Sequence, residues 1–177
     1  MNLIELSRKT IEFALDGKKF EPDEDTKDKF REKKASFVTL TKKGELRGCI
    51  GSLIAYRELW KDVQENSLHA AFNDSRFLVL RKEELNKIKI EVSVLSKPEK
   101  LEFKDENDLL KKINYKMGII LKNKGYSATF LPQVWEQIPD KRAFLEHLSL
   151  KAGLNKDAWR NSDILFYTTE NDIEMSS

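Results

Sequence analysis

Residues 88–95, IKIEVSVL, alternate apolar and polar side chains without a break. Ile88, Ile90, Val92 and Val94 lie to one side, Lys89, Glu91 and Ser93 to the other. A period of two fits an extended strand with one face on a core, and one-faced strands belong to antiparallel sheets. Upstream, ASFVTLT and ELRGCIG flank KKG, a tight hairpin turn in which Gly44 supplies a positive φ. A further hairpin is read in MGIILKNKGYSATFL, turning at Asn123-Lys124-Gly125 and stopped by Pro132. DILFYTTE is the last expected strand, and residues 171–177, NDIEMSS, are expected to form a polar tail.

Between these strands stand helical periods. Leu3, Ile4, Ser7, Ile11 and Leu15 predict an amphipathic helix ending near Gly17. In AYRELWKDVQENSLHAAF, Leu59, Val63 and Ala70 lean one way with Trp60, Ser67 and Ala71 beside them. Asp62, Asn66, His69 and Asn73 are expected on the opposite, polar face. Asp140 caps a third helix through KRAFLEHLSLKAG, with Phe144, Leu145, Leu148 and Ala152 buried and Gly153 as its stop. The charge-dense KKFEPDEDTKDKFREKK reads as a surface loop with a short helical turn. Hairpins mixed with helices, without strand–helix alternation, predict an α+β fold with a largely antiparallel sheet flanked by helices. A chain of 177 residues suits a single domain, with room for two subdomains.

Composition narrows function by exclusion. With 35% charged residues and a net charge of +2, nothing in the balance demands a nucleic-acid or membrane partner. Aromatic residues are not interleaved with a basic stripe, so no nucleic-acid interface is expected. The chain lacks a phosphate-cradling glycine loop, a dinucleotide fingerprint and HExxH, so no cofactor is evident. One cysteine excludes an internal disulfide, and two widely separated histidines beside it make no expected metal site. The N-terminus has no signal-peptide pattern, and no apolar run approaches the roughly 20 residues that span a bilayer. A cytoplasmic location is the expectation.

The chemistry-bearing candidates centre on LRGCIG. Gly48 and Gly51 flank Cys49 in a strand that glycine weakens, so they need a reason. One reason is close approach of a ligand or another backbone to the thiol, or a bulge presenting backbone N–H groups to an anion. Arg47 shares the strand face of Cys49 if the strand is regular, and a guanidinium there favours the nucleophilic thiolate. The alternative is a buried, inert cysteine with packing glycines. Asp74 and Arg76, at the end of the second helix, are either ligand contacts or a structural pair. His69 is the nearest general base in sequence, or else an ordinary surface residue. Glu91 projects from the polar face of its strand, usable if that face lines a cleft and bland if it meets solvent. His147, near a helix core face, reads as hydrogen-bonded structure, and Gln133 of FLPQV as a weak polar contact.

FVTLTKKGELRGCIGSL, AAFNDSRF, IEVSVLSKPEKL, GIILKNKGYSATFLPQV and FLEHLSLKAGL follow one another in an order that resembles the AMMECR1 family, known in bacteria and archaea as AmmeMemoRadiSam system protein A. The resemblance runs from about Ile4 to Trp159. It implies a two-lobed α+β fold and, as partners, MEMO-like and radical-SAM proteins. It supplies no reaction. Many relatives carry a second cysteine where this chain has Ser149, so a redox pair with Cys49 is not available here. Two expectations follow. One is an accessory or ligand-binding protein with its site at LRGCIG; the other is an enzyme using Cys49 as nucleophile on a small anionic substrate, with Arg47, Gly48, Gly51, Asp74, Arg76 and Glu91 around it.

Overall fold

The computed structural model describes residues 1–175, and the chain divides into two compact units. The first comprises Met1–Leu95 together with residues 170–175; the second is the contiguous stretch Ser96–Thr169.

In the first unit, α1 (Leu3–Leu15) starts on a capping box. Asn2 accepts from the Glu5 N–H, and the Glu5 carboxylate accepts from the Asn2 N–H. Leu3, Leu6, Ser7, Thr10 and Ile11 are its buried residues. A short α2 (Glu24–Lys29), capped by Asp23, occupies the middle of the charge-dense segment. β1 (Ala35–Lys42) and β2 (Glu45–Gly51) form the expected hairpin. Its two-residue turn places both Lys43 and Gly44 at positive φ, the geometry that matches the twist of the flanking strands. α3 (Leu59–Phe72) follows, then β3 (Ile88–Leu95). Together with β8 (Thr169–Ile173), the strands make a four-stranded sheet in the order β2-β1-β3-β8. Val38, Leu40, Ile90 and Val92 pack with Leu6, Ile11, Val63 and Ala70 in one apolar core.

Two expectations are corrected in this unit. Asp62 and Asn66, expected on a polar outer face, are 1% and 3% exposed. Asp62 accepts from the Ser36 hydroxyl at 2.5 Å and from Arg57 at 2.7 Å, while the Asn66 amide donates to Ser36 and Asp62. A buried carboxylate is tolerable where both oxygens are hydrogen-bonded, and residue periodicity alone does not reveal those partners. Residues 171–173, expected within a polar tail, complete β8 instead, and Glu174 grips Arg8 with both carboxylate oxygens at 2.6 Å. Ser176 and Ser177 lie outside the described residues.

In the second unit, β4 (Glu99–Lys100), β5 (Gly118–Asn123), β6 (Tyr126–Phe130) and β7 (Asp163–Tyr167) form a second sheet in the order β4-β7-β5-β6. The expected hairpin turns at Lys124-Gly125. α4 (Glu106–Lys112) and α5 (Lys141–Lys151) supply its helices, capped by Asp105 and Asp140. Phe144, Leu145 and Leu148 of α5 are fully buried with Trp159, Ile119 and Leu121. Trp135 stacks on Phe144 at 3.6 Å between ring centroids. The α+β class and the antiparallel pairing both stand as read from the sequence.

Candidate functional site

β2 lies at one edge of the first sheet, paired on its other side with β1. The register puts Cys49 opposite Thr39, and Thr39 opposite Glu91. Cross-strand partners share a face, so a thiol, a hydroxyl and a carboxylate form a row across three strands. The Thr39 hydroxyl lies 3.3 Å from the Cys49 sulfur. Cys49 and Glu91 are half-buried, whereas Ser93, two residues along β3, is fully buried. Thus the side of β3 read as polar is not simply a solvent face.

Gly48 points the other way. A β-carbon there would run into the Ala70 carbonyl oxygen of α3, and one at Gly51 would strike the Phe37 ring and the Ser36 carbonyl. The glycines therefore permit close packing of helix, ring and strand.

The register slips between Leu40 and Thr41, leaving Arg47 unpaired in a β-bulge. That irregularity takes Arg47 off the alternation assumed for a regular strand. Its guanidinium holds both oxygens of Glu84, at 3.0 and 3.1 Å, and donates to the Leu78 carbonyl at 2.8 Å. Lys42 joins the same carboxylate at 3.0 Å. The Arg47 hydrogen bond, with further help from the Arg81 N–H and Lys42, holds the Glu84 carboxyl down at about 2.

Asp74 and Arg76 come to Cys49 through its main chain. After α3 ends at Phe72, the chain turns back along the free edge of β2. Asp74 accepts the Cys49 N–H at 3.0 Å, and Arg76 donates to the Cys49 carbonyl at 3.3 Å. The two side chains also pair with each other at 2.8 and 3.0 Å. They satisfy the outward donor and acceptor that an edge strand otherwise leaves open. Asp74 is buried, its carboxyl held near 2 chiefly by the Arg76 bond and also by the Cys49 and Arg76 N–H groups. Arg76 is raised from its ordinary value first by the Asp74 hydrogen bond, then by the charges of Asp74 and Cys49.

The histidines stand apart in their bonding. His69 contacts Asn73 at 2.9 Å and Glu65 at 3.9 Å, both on or just beyond its own helix. His147 meets the Ala143 carbonyl at 2.8 Å, one turn back along α5. Ser149 donates to the Leu145 carbonyl and accepts the Trp159 N–H. Among the described residues no group of three or more His, Cys, Asp or Glu could hold a metal ion. No helix among them is long and apolar enough to cross a membrane.

Sequence reasoning missed Thr39 and Glu84. Thr39 lies inside the FVTLT strand without a chemical cue of its own, and its place beside Cys49 follows from the hairpin register. For Glu84, an acidic residue in the first turn of the short helical segment Lys82–Lys87 was a usable cue, but its guanidinium partner lies 37 positions away.

The chain is similar to proteins of known sequence along nearly its full length. A protein of Nanoarchaeum equitans is 41% identical over 176 residues, covering 98% of each chain. One from Methanosarcina barkeri is 42% identical over 162 residues, covering 88% of this chain and 80% of the relative. The crystal structure of an uncharacterized protein from Pyrococcus horikoshii superposes with a TM-score of 0.89 at 32% identity, covering 98% of this chain and 94% of that one. The AMMECR1 family model matches residues 4–172, which takes in both units, the Cys49 row and the Asp74–Arg76 clip: this chain belongs to the AMMECR1 family.

Proposed function

We propose that this chain is a binding member of its family, not a catalyst, with the LRGCIG segment as its recognition element and a MEMO-like or radical-SAM protein as the partner it serves. The observation that carries the reading is the clip on Cys49. Asp74 and Arg76 hold both main-chain groups of that residue while neutralising each other. A cation that would favour the thiolate is thereby tied to a carboxylate, as Arg47 is tied to Glu84. The hydrogen bond of His69 runs to Asn73, so this base candidate is engaged along its own helix. What the clip provides is a main chain and a sulfur fixed in place, which is the property a recognition surface needs. Leu78 and Val79, on the same loop as the clip, are 86% and 59% exposed and add apolar surface beside it.

The competing reading is a Cys49 nucleophile acting on a small anionic substrate. Alkylation by iodoacetamide at pH 7 separates the two. A binding role predicts a rate at or below that of glutathione, and Cys49→Ser that still folds and still retains a co-encoded MEMO-like or radical-SAM protein on an affinity column. A rate about tenfold or more above glutathione would mark an activated thiolate and reject the binding role.

A further inference from the structure

The second unit carries an open depression of about 830 Å³ between the β5–β6 turn and the loop that follows α5. That volume lies within the range of small-molecule sites. Its walls are held by side-chain bonds. Asn123 donates to the Ser162 hydroxyl at 3.0 Å, and that buried serine donates to the Ala158 carbonyl at 2.6 Å. On the opposite wall the Asn155 carbonyl oxygen accepts the Asp157 N–H at 3.0 Å. Lys124 sits at the rim in the positive-φ position of the hairpin turn, which fixes its backbone.

Once these bonds are assigned, donors are left over. The Asn155 carboxamide has its oxygen engaged and its N–H₂ unspent. Lys124 and Lys156 are exposed and make no ion pair with a described residue. Asn161 completes the lining, its main-chain carbonyl 3.5 Å from the Asn123 amide. The acidic lining residue, Asp157, shares Arg160 at 3.8 Å with Glu106, which holds that guanidinium at 3.1 Å. Two lysines and the unspent Asn155 amide lining one hollow call for an acceptor-rich, negatively charged ligand.

We propose that this depression binds the phosphoryl group of a small soluble phosphate monoester. The site is independent of the Cys49 reading and shares no residue with it.

Inorganic phosphate is the probe, titrated into the full chain at constant ionic strength while ¹H–¹⁵N spectra follow the Asn155 and Asn161 side-chain amides. Saturable shifts are expected, absent with chloride, and weakened about tenfold in Lys156→Glu and in Lys124→Glu. Both lysines are exposed, so the variants keep the fold, which the remaining amide signals check directly. Shifts that rise linearly without saturation, or that survive both charge reversals unchanged, overturn the proposal. Sedimentation with phosphatidic acid vesicles that exceeds binding to neutral vesicles would overturn the soluble source.

Discussion

Asp74 concentrates several effects in one carboxylate. Its pKa is depressed in the folded state, so it adds stability above the ordinary carboxylate pKa and loses it as pH falls toward about 2. Glu84 behaves in the same sense for the Arg47 and Lys42 side of β2. Acid titration of the folded chain is expected to show stability level above pH ~4 and falling between ~4 and ~2, by about 2 kcal/mol from Asp74. Asp74→Asn should remove that share of the slope, measured by urea unfolding at a series of pH values. Gly48 makes the opposite kind of test, because it is steric. Gly48→Ala drives a methyl group into the Ala70 carbonyl, and a helix backbone does not yield cheaply. A loss of about 1–3 kcal/mol in chemical denaturation is expected. Cys49→Ser, which exchanges sulfur for a smaller oxygen beside the Thr39 hydroxyl, should leave stability within about 1 kcal/mol.

At the scale of elements, α3 is joined to the start of β1 by a polar network and not by apolar packing alone. Asp62 serves Ser36, Asn66 and Arg57 together, and removing it takes an acceptor from all three, of which Ser36 and Asn66 are buried. Asp62→Ala is expected to cost about 3 kcal/mol, more than Arg57→Ala, whose side chain is partly solvated. Thermal melts of the two single variants would check the order. The same network marks a boundary of what periodicity reveals. The helix itself was legible from its apolar spacing, and so were α1, α5 and both hairpins, since each owes its form to neighbours a few residues away. Asp62 and Asn66 have the residue types of a solvated face, and only Ser36, 26 and 30 positions away, makes them interior. α4 was unread although Asp105 before it and Lys111 and Lys112 at its end are ordinary helix signals.

For the whole molecule, chain continuity distinguishes the two units. The second is one unbroken stretch, whereas the first is completed by residues returning from the far end of the chain. β8 pairs beside β3, and Glu174 both grips Arg8 and accepts the Ile90 N–H. Ending the chain at Thr168 should therefore speed amide exchange in β3 and α1 while leaving β5 and α5 protected, which hydrogen exchange resolves element by element. Equal loss of protection in both stretches would contradict the division.

By itself the sequence determined the class of fold, the family, the hairpins and the position of the one thiol. Those features rest on local rules: alternation for strands, a 3.6-residue period for helices, positive φ at the turn glycine, and short motifs in a set order. The tertiary structure decided which side chains stand beside that thiol and what each one does there. A bulge of one residue turned Arg47 toward Glu84, register placed Thr39 and Glu91 in the row with Cys49, and a helix packed against Gly48 made it a contact glycine. Such outcomes depend on contacts between residues 10 to 52 positions apart, and no local period carries that information.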